Sequence, residues 1–256
     1  MAMKRAAVWS LGGLILAVAS ALAAIFAGLG SRWDWWHFRT GFQILTVAAY
    51  GGLAAVVVSV MGALAALSQR SRRHVITALI GLGIGAITVW IPWQLKQTAR
   101  RVPAIHDLTT DTAMPPVFVA ILPLRKEAPN SSDYGGPEIA EQQRSAYPSL
   151  GPLVLDIAPL EAFKEALAAA REMGWEIVDT HAETGRIEAT DTTFWFGFKD
   201  DIVVRVAPGT DSTPAKQTSR IDVRSVSRVG KSDVGANAKR IRTYLNKIRH
   251  NSQAHL

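Results

Sequence analysis

The 256-residue chain predicts an α+β protein: a three-helix transmembrane bundle, then a two-layer antiparallel sheet of about four strands with helices on one face. Three observations carry that prediction. Residues 1–95 hold three long apolar runs and a single acid, Asp34. Residues 96–256 have the charge density of an ordinary folded domain. Within them, two stretches repeat apolar residues at three and four positions, and two others alternate at two. Collagen-like, disordered and disulfide-stapled classes are excluded by composition and by the absence of cysteine.

The spans come first. Residues 8–29, 42–67 and 75–95 carry no Lys, Arg, Asp or Glu, and each reaches the length of about 20 residues that a helix needs to cross a bilayer. The competing reading of the first run is a signal peptide, with Lys4 and Arg5 as its basic end and Ala21-Leu22-Ala23 as its cleavage site. Its apolar stretch continues through Ile25 and Phe26, longer than such peptides run. Lys4, Arg5, Arg70, Arg72 and Arg73 fall on one side, and Arg32 and Arg39 on the other. Positive charge stays cytoplasmic, which puts the N-terminus inside and the C-terminal domain outside. Lys96, Arg100 and Arg101 run against this, but long domains cross largely regardless of flanking charge. The expected location is a bacterial inner membrane, with the domain in the periplasm. Trp33, Trp35, Trp36, Trp90 and Trp93 then line the outer interface. Gly81 and Gly85, four apart, permit close packing of the three helices. No acid or histidine stands mid-span, so a transporter lacks its relay.

Net charge is +7, a value that invites a nucleic-acid reading. Divided at residue 95, the spans hold seven Lys/Arg against one acid and the remainder 21 against 20. The excess is membrane-flanking charge, and no nucleic-acid partner is expected.

Residues 96–150 read as an extended Pro- and Gly-rich connector, and 151–256 as the α+β domain. A helix begins at Pro159, repeats Leu160, Phe163, Ala166, Leu167, Ala170 and Met173, and stops before Gly174. Strands follow at Trp175–Asp179 and Arg186–Thr190, joined through His181–Gly185. Thr193–Val206 alternates with Phe194, Phe196, Phe198, Ile202, Val204 and Val206 on one face. Arg220–Val229 alternates with Ile221, Val223 and Val229 on one face and Asp222, Arg224 and Arg228 on the other. Val234, Ala238, Ile241, Leu245 and Ile248 make the closing helix, and its Lys239–Arg249 cations form a solvated face.

The stretch Ser225–Asn237 runs from strand through a Gly-Lys-Ser turn into that helix. It is not a phosphate-binding P-loop, because Ser225 stands where that motif requires glycine. Two readings stay open. One makes Ser232 or Asp233 a helix cap. The other makes a ligand site for an anion from Arg224, Ser225, Ser227, Arg228, Lys231, Ser232, Asp233 and Asn237, with Asp200 and Asp201 counted among its residues, and with Arg224, Arg228 and Lys231 converging on the helix start. Gly235 in the first turn signals close backbone approach. Strict alternation also places Asp200 on the apolar face, where a bare carboxylate is costly. A buried network with Ser225 and Ser227 explains this, and so does a β-bulge at 199–201 that turns it outward. Asp201 is expected to pair with Arg224 on a solvated face. His106, Asp107 and Asp111 lack the further ligands a metal needs, and neither metal nor cofactor is expected.

The strings Ile105–Asp111, Gly197-Phe-Lys-Asp-Asp201 and Val223–Asn237, with its Arg-Ser-x-Ser-Arg-x-Gly-x-Ser-Asp-x-Gly-x-Asn pattern, resemble the domain-of-unknown-function 1499 family over about residues 101–248. The resemblance implies an envelope-facing domain anchored by helices and brings no activity with it. Many members of that family carry a cysteine-containing segment before the first helix of the domain; this chain has no cysteine, so a thiol or metal role there does not apply. The expected function is a membrane protein presenting a binding or scaffolding domain to an anionic envelope component or an envelope protein. The alternative is an envelope hydrolase using Asp200 or Asp201 as acid or base.

Overall fold

The computed structural model describes residues 2–213 and 217–254. The chain divides into two compact units. One comprises residues 1–97 with Phe194–Gly197, and the other comprises Thr98–Thr193 with residues 198–256.

The first unit holds α1 (Ala2–Arg32), α2 (Phe38–Ser68) and most of α3 (Arg72–Arg101), whose last four residues fall in the second. All three are long and apolar enough to cross a membrane, and each outruns its apolar core by several residues. They pack through small side chains. In α2 the buried residues are Gly41, Leu45, Ala48, Gly52, Ala55, Ser59, Gly62 and Ala66, stepping alternately by four and three. In α1 the same step runs through Ala6, Ser10, Gly13, Ala17 and Ser20. Such a 3.5-residue seam of small residues lets helix backbones approach closely where lipid removes any hydrophobic drive. A Cβ on Gly85 would stand 2.9 Å from the Gly52 carbonyl oxygen, and one on Gly81 would stand 3.0 Å from the Leu14 backbone. The glycines four apart in α3 thus serve packing among the three helices. Asp34 and Arg70 turn the two connections in left-handed backbone, at φ 57° and 51°.

The second unit is built on an antiparallel sheet. Its main strands β3 (Glu176–His181), β4 (Arg186–Thr192), β5 (Lys199–Pro208) and β6 (Ser219–Ser227) form a meander. Two short strands, β1 (Asp107–Thr109) and β2 (Leu153–Leu155), pair with opposite ends of β6, making six. Helices α5 (Pro159–Glu172) and α6 (Ala236–Ala254) supply the buried apolar residues that meet one sheet face. Phe163, Ala166, Ala170, Tyr244 and Ile248 meet Ile187, Ile202, Val204, Ile221 and Val223 there. Burying each large aliphatic side chain contributes roughly 1.5–3 kcal/mol. The end of α5 is a Schellman turn. Trp175 N–H reaches the Ala170 carbonyl, Gly174 N–H reaches that of Arg171, and Gly174 takes φ +74°.

Three features depart from the sequence-based expectation. Residues 96–150 are not a bare connector: they contain the end of α3, β1, a 3₁₀ turn at Leu122–Arg125 and α4 (Gly136–Ala146). The second sheet face is not solvated, because Phe118 and Ile121 from this stretch pack on Val203 and Val226. The expected strand 193–206 is broken at its start. Thr193 and Phe198 close a hairpin, Thr193 N–H donating to the Phe198 carbonyl and Phe198 N–H to the Thr193 hydroxyl. Between them Phe194–Gly197 belongs to the helical unit, where Phe196 is buried and Phe194 exposed, so their alternation does not mark sheet pairing.

Candidate functional site

The sequence stretch singled out above folds into two ionic clusters, one on each face of β5 and β6. Ladder pairing runs unbroken from Asp200↔Ser227 to Pro208↔Ser219. There is no bulge at 199–201, so Asp200 does point to the helix-covered face and Asp201 to the other.

On the helix-covered face the partner of Asp200 is Arg240 of α6. Its Nη2 donates to Asp200 Oδ2 at 2.5 Å, its Nε to Asp191 Oδ2 at 2.8 Å, and its Nη1 to the Ser225 hydroxyl at 3.1 Å. Nη1 also donates to the Asn237 side-chain oxygen. Ser225 Oγ donates to the same oxygen at 2.7 Å, and Asn237 Nδ2 donates to Ser227 Oγ at 3.1 Å. Asp200 and the two serines thus share one buried cluster, but among the described hydrogen bonds none joins the aspartate to a serine directly; the link is Arg240, a cation assigned to a solvated helix face. Arg240 is buried. It stands one turn after Asn237 and one before Tyr244, at the edge of the apolar stripe. A carboxylate on a core-facing strand position was the available signal that α6 must carry its counter-charge.

On the opposite face Asp201, wholly buried, accepts four hydrogen bonds. Thr190 Oγ1 and Arg228 Nη2 donate to Oδ1 at 2.7 and 2.8 Å, while Arg125 Nη1 and Arg228 Nε donate to Oδ2 at 2.6 and 2.9 Å. Arg224 does not join them. Its register partner is Val203, and its fork closes on Asp107 at 2.9 and 2.7 Å. The same guanidinium also donates to the Ser132 carbonyl and lies over the rings of Phe118 and Tyr134. Burial and the nearby Asp107 charge push the Tyr134 hydroxyl up to about 12. The expected Asp201–Arg224 pair is therefore replaced by two separate ones. Arg125 was missed because it lies in Leu122–Arg125, a turn without periodicity.

Glu188 is a further buried acid of this face. It accepts the N–H groups of Val119, Ala120 and Ile121 at 2.8, 3.2 and 2.9 Å. Toward the sheet edge, Arg205 and Arg220 bridge Asp111 and Asp222. Burial raises the Asp111 carboxyl, but the Met114 and Ala113 amides with Arg220 and Arg205 outweigh it and hold it below the usual range.

The turn before α6 is closed by its own side chains. Asp233 accepts from the N–H groups of Gly235 and Asn237 at 2.8 and 2.7 Å. Burial is the largest influence on it and raises its carboxyl, against those two bonds. Ser232 accepts from Val234 N–H and donates to the Pro103 carbonyl. Lys231 is exposed. Gly235 is needed for its φ of +82° and not for close approach, since a Cβ there would meet nothing nearer than 3.7 Å. Arg224, Arg228 and Lys231 do not converge on the helix start, and the capping carboxylate occupies its amides.

Chemically, the arrangement holds buried arginine–carboxylate pairs, in which the two oxygens of Asp201 meet four donors and Asp200 meets Arg240. A general base needs a free lone pair within reach of a substrate proton. Among the described residues no group of three His, Cys, Asp or Glu side chains can hold a metal ion, and Asp107 and Asp111 are both held by arginines. A family model described as protein of unknown function, DUF1499, matches residues 107–248, more than half of the chain. No curated protein and no solved structure matches it.

Proposed function

Because the chain belongs to the DUF1499 family, whose description assigns no activity, we propose from its own geometry that it is a non-catalytic multi-pass membrane protein. In this reading it sits in a bacterial inner membrane with its N-terminus in the cytoplasm. Its α+β unit is a periplasmic binding or scaffolding module for an envelope protein or an anionic envelope component. The positive-inside distribution of Lys4, Arg5, Arg70, Arg72 and Arg73 supports the orientation. The observation that carries the non-catalytic part is the saturation of Asp201: four donors surround two oxygens with no exposure. Asp200 is likewise held by Arg240, so a hydrolase built on these two acids would first have to break buried ion pairs. Of the residues assigned to the anion site, Lys231 is exposed, and Arg228 keeps part of its side chain in solvent. An anion would meet those two.

Native mass spectrometry of the full chain, released gently from its own membrane, tests the proposal. An anionic adduct or co-purifying envelope protein that Lys231→Glu removes, with thermal stability kept, supports it. A bare wild-type mass together with hydrolysis of a chromogenic ester or phosphodiester would overturn it.

A further inference from the structure

The Phe194–Gly197 tip joins two strands of the sheet yet belongs to the helical unit, and its side chains are held there by specific contacts. Trp195 Nε1 donates to the carbonyl of Ile25 at 3.1 Å. Ile25 lies seven residues inward from Arg32, about 10 Å along the helix axis. Phe196 is buried, its ring 5.0 Å from that of Phe42. Small residues make room: a Cβ on Gly28 would fall 2.2 Å from the Trp195 indole, and one on Gly41 would fall 2.9 Å from Phe196. The indole also borders an apolar crevice of about 300 Å³ shared with Ile25, Leu45, Ile87, Ile91 and Pro92. In contrast, Phe194 is 82% exposed.

We propose that this hairpin tip is a lipid-immersed wedge, with the Phe194 ring standing among phospholipid chains in the leaflet that holds the Arg32 end of α1. The inference rests on the spanning reading of the three helices. Phospholipid is the occupant for three reasons. First, the exposed apolar surface beside the tip continues down α1 through Phe26, Ile25 and Leu22, the surface a spanning helix offers to acyl chains. Second, Arg32 donates to the Phe194 carbonyl at 3.0 Å and sits 5.8 Å from its ring. Exposed Trp33 and Trp35 adjoin it, the combination of cation and indole found at head-group level. Third, one ring is far short of the roughly 800 Å² per partner that a stable contact between copies needs. Bilayer contact gives an exposed phenyl ring the apolar surroundings that water denies it.

The cysteine-free sequence allows a clean test. Phe194→Cys in the full chain is labelled with a nitroxide and reconstituted into vesicles of phosphatidylcholine and phosphatidylglycerol. Collision rates with oxygen, which partitions into lipid, and with a water-soluble nickel chelate are then compared. Leu22→Cys provides the lipid reference and Lys199→Cys the aqueous one. The expected result is an oxygen-to-nickel ratio at 194 several-fold above that at 199 and close to that at 22. Nickel access at 194 equal to that at 199, with 22 in lipid, overturns the wedge alone. Low access to both reagents with spin–spin broadening overturns it in favour of a second copy. Water access at 22 overturns the spanning reading and the wedge with it.

Discussion

Removing the Arg240 guanidinium while keeping its aliphatic volume, as in Arg240→Met, leaves Asp200 buried with no counter-charge. The Asp200 side chain is 5% exposed and its distance to Arg240 is 2.5 Å. Within the described hydrogen bonds, its carboxylate has no other donor of comparable quality. Loss of one partner of such a pair costs about 3–5 kcal/mol, because the remaining charge keeps its desolvation penalty. Ser225 and Asn237 lose a shared donor as well. For a folded unit of this size, that corresponds to a fall in Tm of roughly 6–20 °C, at about 2–4 °C per kcal/mol. Arg240→Lys keeps the charge but cannot span Asp191, Asp200 and Ser225 together, and should lose about half as much. The double variant Arg240→Met with Asp200→Asn removes the orphaned charge and should be more stable than Arg240→Met alone. Pulse labelling of a cysteine placed at buried Ala170, followed across a urea series in the reconstituted full chain, reads this unit separately from the spans. A cost below 1 kcal/mol for Arg240→Met, or a double variant as unstable as the sum of the singles, would refute the assignment of Arg240 as the organising charge.

Two further outcomes follow from the opposite face. Asp111 titrates below its unfolded value in the folded chain, so its contribution is fully present above about pH 4 and is lost as pH falls through the lowered folded value. Asp111→Asn should flatten the acid limb of the stability–pH curve, and an unchanged slope between pH 5 and 2 would contradict it. Glu188→Ala strips the acceptor from three consecutive amides, Val119, Ala120 and Ile121, at a cost of about 1–3 kcal/mol for each buried donor left unmet. Hydrogen exchange should speed at 119–121 by at least tenfold while β4 stays protected. Uniform acceleration of both would show instead that the segment and the sheet open together.

Much of this architecture is legible from period alone. The three long apolar helices follow from uninterrupted apolar length, and their close packing in part from Gly81 and Gly85 of α3. The end of α5 follows from Gly174, the only residue type that takes φ +74° there without strain. Alternation correctly set Asp200, Ser225 and Ser227 on one face, because side-chain direction in a strand is a local property. What alternation does not carry is the identity of the opposing group. Arg125 meets Asp201 across 76 residues and Arg224 meets Asp107 across 117, and nothing local marks either partner. The same limit explains the covered second face, since Phe118 and Ile121 come from a stretch without a repeat, and the hairpin tip, whose phenylalanines alternate like a strand while Phe196 packs on the helices and Phe194 is exposed. The chain's own residues therefore determined the long apolar helices, sheet and cap through backbone geometry. Only the tertiary structure decided which charge neutralises which, because buried ion pairs are chosen by proximity in space.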